Sequence, residues 1–364
     1  MRTVWSGMAA AVALGTLAAG APVAASAAPA PKLTVVSAVS CASTNDCWAG
    51  ADLADGAAII ATTDGGASWH VQYTTTRLSG ISAIDCSSGG HCVAIASATE
   101  GTSATFLTTT DGGTTWEPDL APKSLAIPES LACPSPLDCW AVGLGVNRVD
   151  AAVARTTDGG AAWVPQPIPP LVTAMSAEFG ISCPSVVDCL VTGEGVLATD
   201  NAGKAWAKHA VGGVPLGPVT CPSTRDCYAI FNVTSAIPAN EETFVYTSTD
   251  GGLKWADTLP DPSDVSGLGG ISCPSTATCV AVGGGFTPRP GGNDTLYALS
   301  ETTTAGGRKW AEVKFPGDQY LYGDSCVWAT TFCVAVGALH DGSGAIVKST
   351  DDGLTWAAEP VPDV

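Results

Sequence analysis

Residues 86–116 read CSSGGHCVAIASATEGTSATFLTTTDGGTTW, and this stretch holds the signals that decide the fold. It opens on Cys86 and Cys92, which bracket five residues, Ser-Ser-Gly-Gly-His, of tight-loop composition. CVAIAS follows as an apolar run without polar alternation, the pattern of a strand covered on both faces. ATFLTTT then leads into Asp111, Gly112 and Gly113, and on to Trp116. With ISAIDC upstream, the stretch reads as four strands: a (ISAIDC), b (CVAIAS), c (ATFLTTT) and d (TTWEP).

The cysteine pair recurs along the whole chain of 364 residues. The fourteen cysteines fall into Cys41/Cys47, Cys86/Cys92, Cys133/Cys139, Cys183/Cys189, Cys221/Cys227, Cys273/Cys279 and Cys326/Cys333. Zinc is the competing reading, but its ligand pairs prefer a spacing of two to four residues with His nearby. There are only four His, and no two cysteines are separated by two residues. We therefore expect seven disulfides, each within its own pair, which fits an oxidising compartment. First cysteines are 45, 47, 50, 38, 52 and 53 residues apart, a period of about 48. Periods of that size indicate propellers or solenoids.

A second motif keeps phase with the cysteines. It reads TTDGGASW to Trp69, TTDGGTTW to Trp116, TTDGGAAW to Trp163, TDNAGKAW to Trp206, STDGGLKW to Trp255, TTAGGRKW to Trp310 and STDDGLTW to Trp356. The motif resembles the Asp-box, or BNR, repeat found in sialidase-like propellers. An Asp side chain can accept backbone N–H groups a few residues on, and Gly-Gly tolerates the positive φ of a tight turn. The set Asp64, Asp111, Asp158, Asn201, Asp250 and Asp351 reads as structural, with Ala305 unable to take that role in the sixth copy. Strand b reads CVAIA, CWAVG, CLVTG, CYAIF, CVAVG and CVAVG in repeats two to seven, a near-continuous apolar run in each. The expected fold is all-β: a seven-bladed β-propeller of four-stranded antiparallel blades, with one disulfide and one Asp box per blade. An open β-solenoid is the competing architecture. Ring closure is expected to rest on packing of the first blade against the last, with no strand exchanged.

The formal net charge is −19. That argues against nucleic acid, whose binders need a basic face, and against anionic membranes. Arg2, the apolar run from Met8 to Gly20 and the Ala25-Ser26-Ala27 site read as a signal peptide over 1–27. It precedes a single propeller over 28–364, and the product is expected to be secreted, monomeric and not membrane-inserted. No cofactor or metal is expected.

Antiparallel strands put the a–b loops and boxes at one end and the b–c and d–a loops at the other. The distance from second cysteine to box Trp varies from 17 to 31 residues, so the variable segment is b–c. Function is therefore sought on the b–c/d–a end, including loops 232–242 and 283–294. Tyr320, Tyr322, Asp324, Arg289 and Arg148 are the candidate binding residues, with the tyrosines expected on a d–a loop. Other candidates there are Tyr73, Arg77, Asp150, Phe179, Glu194, Glu241, Glu242, Phe286, Asp294, His340 and Asp341. The sialidase resemblance would imply an arginine triad with Tyr, Glu and Asp. Here the region after Ala27 has six Arg, of which Arg225 and Arg308 fall on the wrong end. Single seven-bladed propellers of the photosystem II assembly factor family are more similar in architecture. That resemblance implies an assembly scaffold but carries over no partner, and the expectation here is a secreted non-catalytic propeller that binds a protein or a surface glycan. A glycan-acting hydrolase or lyase is the alternative.

Mass mapping of non-reduced peptides is expected to return the seven local pairs and no free thiol. Any bridge between blades would contradict the repeat reading.

Overall fold

The structure is a computed structural model. It describes residues 32–98, 104–171, 179–209, 217–233, 242–258, 267–287, 295–315 and 319–364. These contain strands and no helix. Seven four-stranded antiparallel sheets follow one another, each with its strands in chain order a-b-c-d. All seven expected disulfides form, one per blade. They join Cys41 to Cys47, Cys86 to Cys92, Cys133 to Cys139, Cys183 to Cys189, Cys221 to Cys227, Cys273 to Cys279, and Cys326 to Cys333. No cysteine is free.

Disulfide and box form one knot in every blade. The second cysteine pairs in register with the first box residue: Cys47 with Thr62, Cys92 with Thr109, Cys139 with Thr156, Cys189 with Thr199, Cys227 with Ser248, Cys279 with Thr303 and Cys333 with Ser349. In blade one the Thr62 hydroxyl takes the Gly66 N–H at 2.9 Å and donates to Asp64 Oδ1 at 2.8 Å. Asp64 then accepts the Ser68 amide at 2.9 Å and its hydroxyl at 2.6 Å. These donors, Ser68 first, hold the Asp64 carboxyl down at about 2. Asn201 reproduces the bond, taking the Ala205 N–H at 2.9 Å. In blade six Thr303 still accepts from Gly307 at 3.1 Å, but Ala305 offers no side-chain acceptor. Cys279 of that blade is nevertheless fully buried and bridged to Cys273 as expected, so the knot keeps its covalent half where the box is weakest.

The fourth box residue also donates its N–H to the a–b loop, two residues before the second cysteine, in all seven blades: Gly65 to Asn45, Gly112 to Gly90, Gly159 to Leu137, Ala202 to Val187, Gly251 to Arg225, Gly306 to Ala277 and Asp352 to Thr331. That residue has φ between 60° and 75° throughout, so Ala202 and Asp352 hold a left-handed conformation that favours glycine. The box Trp does not open strand d, as the sequence suggested. Strand d begins one residue later, at His70 in blade one and Ala357 in blade seven.

The box also welds neighbouring blades together. The carbonyl of its fourth residue accepts a side chain from the preceding blade in five seams. The donors are Lys348 to Gly65 at 3.0 Å, Gln72 to Gly112 at 3.0 Å, His91 to Gly159 at 3.1 Å, Arg155 to Ala202 at 2.9 Å and Thr302 to Asp352 at 3.2 Å. Seven apolar clusters fill the seams between blades. The one joining blades one and seven combines Leu33, Val36 and Ile60 with Phe332, Val334 and Ile346. The ring closes by this packing, and no strand is lent across it.

A second set of seam bonds lies further in. In five seams the side chain just before a first cysteine accepts the amide of the next blade's first cysteine. Ser40 takes Cys86 at 3.0 Å, Asp85 takes Cys133 at 2.6 Å, Ser182 takes Cys221 at 2.9 Å, Ser272 takes Cys326 at 2.9 Å and Ser325 takes Cys41 at 3.0 Å. The last of these closes the ring.

Supplying the missing acceptor with Ala305→Asp is expected to raise the melting temperature by about 1–3 °C, the scale set by one net hydrogen bond. Asp111→Ala should lower it by a similar amount, and Ala202→Gly should raise it by relieving the left-handed backbone. Thermal melts of the three variants check this. Shifts of one sign for Ala305→Asp and Asp111→Ala would refute the turn-lock reading.

Candidate functional site

Each strand a starts at the d–a end and runs toward its first cysteine, so the seven inner strands converge on the ring axis. They enclose a cavity of about 900 Å³ lined by every blade. Along each inner strand the lining stops two residues before the first cysteine. Those seven residues are Val39, Ile84, Leu131, Ile181, Val219, Ile271 and Asp324. Six are aliphatic and one is a carboxylate.

Two residues further upstream lies a second ring: Ser37, Ser82, Glu129, Phe179, Gly217, Gly269 and Tyr322. In blades one, two, three, six and seven this residue is the extra one of a β-bulge, skipped in pairing with strand b. A bulge re-aims its side chain out of the regular pleat, which turns these positions to the lumen. Ser37 Oγ donates to the Ile81 carbonyl at 2.5 Å, and Glu129 Oε2 accepts the Phe179 amide at 3.0 Å. Phe179 is itself buried in the seam between blades three and four. Gly217 and Gly269 bring no side chain at this level in blades five and six. Tyr322, 41% exposed, is the most exposed aromatic of the lining.

Tyr320 and Tyr322 were expected on a d–a loop. They lie instead within strand a of blade seven, Gln319–Cys326. Their rings are 5.2 Å apart. Tyr320 crosses onto blade six, where its hydroxyl donates to the Gly267 carbonyl at 3.3 Å. A Cβ at Gly284 would lie 2.5 Å from the Tyr320 ring, so glycine is needed for that approach. Asp324 is wedged in the same seam, its Oδ1 only 2.7 Å from where a Cβ on Gly270 would sit. Both of its carboxylate oxygens are buried and make no well-formed hydrogen bond, with the backbone amides of Asp324 and Ser272 offsetting part of the burial. Burial raises its pKa well above the ordinary carboxylate value.

The structure thus brings Tyr320, Tyr322 and Asp324 together. Arg148 does not join them. It is exposed in the b–c turn of blade three, with φ 55°, beside the Asn147–Asp150 hydrogen bond of 2.6 Å. Glu194, His340 and Asp341 are likewise exposed in b–c turns. Arg289, Glu241 and Asp294 lie outside the described residues, as do the Glu242 and Phe286 side chains. Glu129, Ser37 and Ser82 were missed in the sequence. Their shared position, four residues before the first cysteine, is the signal that would have found them.

No described residue lining the cavity is basic. Among the described residues no group of three or more His, Cys, Asp or Glu could hold a metal ion, and no helix is long and apolar enough to cross a membrane. A smaller cavity of about 430 Å³ lies between blades four and five among box residues, including Asn201 and Asp250. Asp250 is committed there to the Lys254 amide at 2.9 Å and the Ser248 hydroxyl at 2.9 Å.

No family model and no curated protein matches the sequence. Solved structures share the fold at low identity. YCF48 bound to a D1 peptide aligns with TM-score 0.60 and 15% identity, over 89% of this chain and 96% of that one. The GH74 enzyme of Niastella koreensis aligns with TM-score 0.68 and 13% identity, over 90% of this chain and 54% of that one. A PL25 ulvan lyase aligns with TM-score 0.60 and 8% identity, over 92% of this chain and 97% of that one.

A carboxyl group raised by burial binds its proton more tightly in the folded chain than in the unfolded one. Its contribution to stability is present below the unfolded value of about 3.9 and is lost as pH rises toward the folded value. Asp324→Val, which restores the aliphatic ring, is expected to raise the melting temperature at pH 8 and to flatten its decline between pH 4 and 8. An unchanged pH profile would show that Asp324 is solvated.

Proposed function

We propose that residues 1–27 are a signal peptide and that 28–364 form a secreted, non-catalytic propeller of the Asp-box type, working as a monomeric binding scaffold. Its ligand, a protein or a surface glycan, is received in the central cavity at the d–a end, with Tyr322 as the exposed contact. Seven disulfides accord with an oxidising compartment. The observation that carries the reading is the bulged position: a rigid, disulfide-clipped scaffold sets Ser37, Ser82, Glu129 and Tyr322 at one level of a cavity of about 900 Å³. That volume is typical of a ligand site. A neighbour of this fold, YCF48, was solved bound to a D1 peptide, which supports the protein-binding reading.

The alternative is a glycan-acting hydrolase or lyase, favoured by two carboxylates, Glu129 and Asp324, in one cavity. Against that role, both oxygens of Asp324 are buried away from the water that a hydrolase must activate. Glu129, for its part, holds the Phe179 amide.

A glycan array and a peptide library, run beside a screen for reducing-end and unsaturated-sugar release, test the two readings. Binding without turnover is expected, and Tyr322→Ala should weaken it about tenfold with little change in melting temperature. Tyr320→Ala, which removes a seam contact, should lower the melting temperature. Saccharide cleavage abolished by Glu129→Gln would establish the enzyme instead.

A further inference from the structure

Two adjacent seams of the ring correspond position by position, and one of them lacks an arginine that the other holds. In the seam between blades three and four, Arg155 stands just before the box of blade three and pairs in register with Trp140. Its guanidinium donates to Asp138 Oδ1 at 2.5 Å and to the Ala202 carbonyl, in the box of blade four, at 2.9 Å. It lies 4.7 Å over the Trp140 ring. Blade four repeats the surroundings of that group. Asp188, like Asp138, stands just before a second cysteine, and its Oδ2 accepts the Ser185 hydroxyl at 2.6 Å. Leu190 stands where Trp140 does and pairs with Ala198, which stands where Arg155 does. Gly251 in the box of blade five corresponds to Ala202. All four line the cavity of about 430 Å³ between blades four and five. Among the described residues neither Asp188 Oδ1 nor the Gly251 carbonyl has a hydrogen-bond partner, and Oδ1 stays open to solvent. His209 holds the position from which Gln72 reaches the Gly112 carbonyl, yet it makes no bond to Gly251. No described lysine or arginine lines the cavity, and Arg225 beside it donates to the Thr249 carbonyl at 3.4 Å. The seam between blades five and six is filled instead: a Cβ on Gly307 would lie 2.5 Å from Thr247 and 3.3 Å from the Tyr228 ring.

We propose that the cavity between blades four and five takes a guanidinium from outside the chain, carried on an arginine stem. It bridges Asp188 Oδ1 and the Gly251 carbonyl as Arg155 bridges Asp138 and Ala202. This site lies apart from the central cavity and does not depend on the binding reading above. A carboxylate and a carbonyl that both lack a donor are served together by the planar fork of a guanidinium. The ring itself shows why an ammonium suits the place less. In the seam between blades seven and one, Lys348 bonds the Gly65 carbonyl at 3.0 Å, and its carboxylate partner is Glu359, three residues after the box Trp, at 2.7 Å. Blade four carries His209 at that position and has its carboxylate at Asp188, on the arginine pattern. Buried Leu190 and exposed Leu253 give apolar surface for the methylene stem. A cavity of about 430 Å³ falls in the range of small-ligand sites.

Calorimetric titration of the oxidised chain with the capped peptide Gly-Gly-Arg-Gly-Gly and its citrulline counterpart tests this. The arginine peptide is expected to bind at least tenfold more tightly. Asp188→Asn should weaken its binding about tenfold while the protein stays folded by circular dichroism. Ala198→Arg supplies the missing group from within, and is expected to abolish peptide binding and raise the melting temperature. Argininamide separates the two sources of the same group: binding weaker than the peptide's assigns the site to an arginine of a partner polypeptide, and equal binding assigns it to a free guanidinium compound. Equal binding of the arginine and citrulline peptides, no binding of either, or an arginine-peptide affinity unchanged in Asp188→Asn would overturn the proposal.

Discussion

The inner strand of every blade is an edge strand, and the amide of its first cysteine has to find an acceptor outside its own sheet. An unpaired edge is a liability that folds must resolve explicitly. In five of the seven seams the residue just before the cysteine in the preceding blade supplies the acceptor: Ser40, Asp85, Ser182, Ser272 and Ser325. The bond sets neighbouring inner strands in one register around the axis. Everything that faces the lumen inherits that register. Residues two and four positions upstream come level with one another, and the position four residues before the first cysteine is bulged in five blades.

Strand b and the cysteine spacing were legible because both are local and repeated. The apolar runs signal two covered faces, and each disulfide closes within its own hairpin, Cys273–Cys279 of the irregular sixth blade included. The box was legible as a turn for the same reason, including the weak sixth copy at Ala305. Its second role was not. The carbonyl of Gly65 or Ala202 accepts a side chain some 280 or 47 residues away, and nothing in the motif marks a backbone acceptor. Tyr320 and Tyr322 were placed on a d–a loop, whereas strand a runs through both and Tyr322 is its bulged residue. Glu129, Ser37 and Ser82 went unnoticed because a bulge leaves no compositional trace. Only alignment on the cysteines shows that they share a position.

Alignment of the repeats also isolates what does not repeat. Positions serving the scaffold are similar from blade to blade: aliphatic two residues before the first cysteine, hydroxyl-bearing at the start of the box. Departures at such positions call for a separate physical reason. Ala202 and Asp352 are mild departures, each a small backbone strain on the box end. Asp324 is a severe one, a carboxyl group in an aliphatic ring, and it sits beside the one strongly exposed aromatic of the cavity.

Closure of the ring without a borrowed strand has a consequence for how such a chain can be rearranged. Each sheet is built from one unbroken length of sequence, and each seam is filled by the same kind of apolar packing. The linear order of blades is therefore not written into the topology. Joining blade seven to blade one and cutting at another d–a loop would yield a circular permutant with every sheet, bridge and seam intact. By the same token, whole blades are the natural units of duplication, and the lumen could be re-tooled one inner strand at a time while the outer knots are left alone.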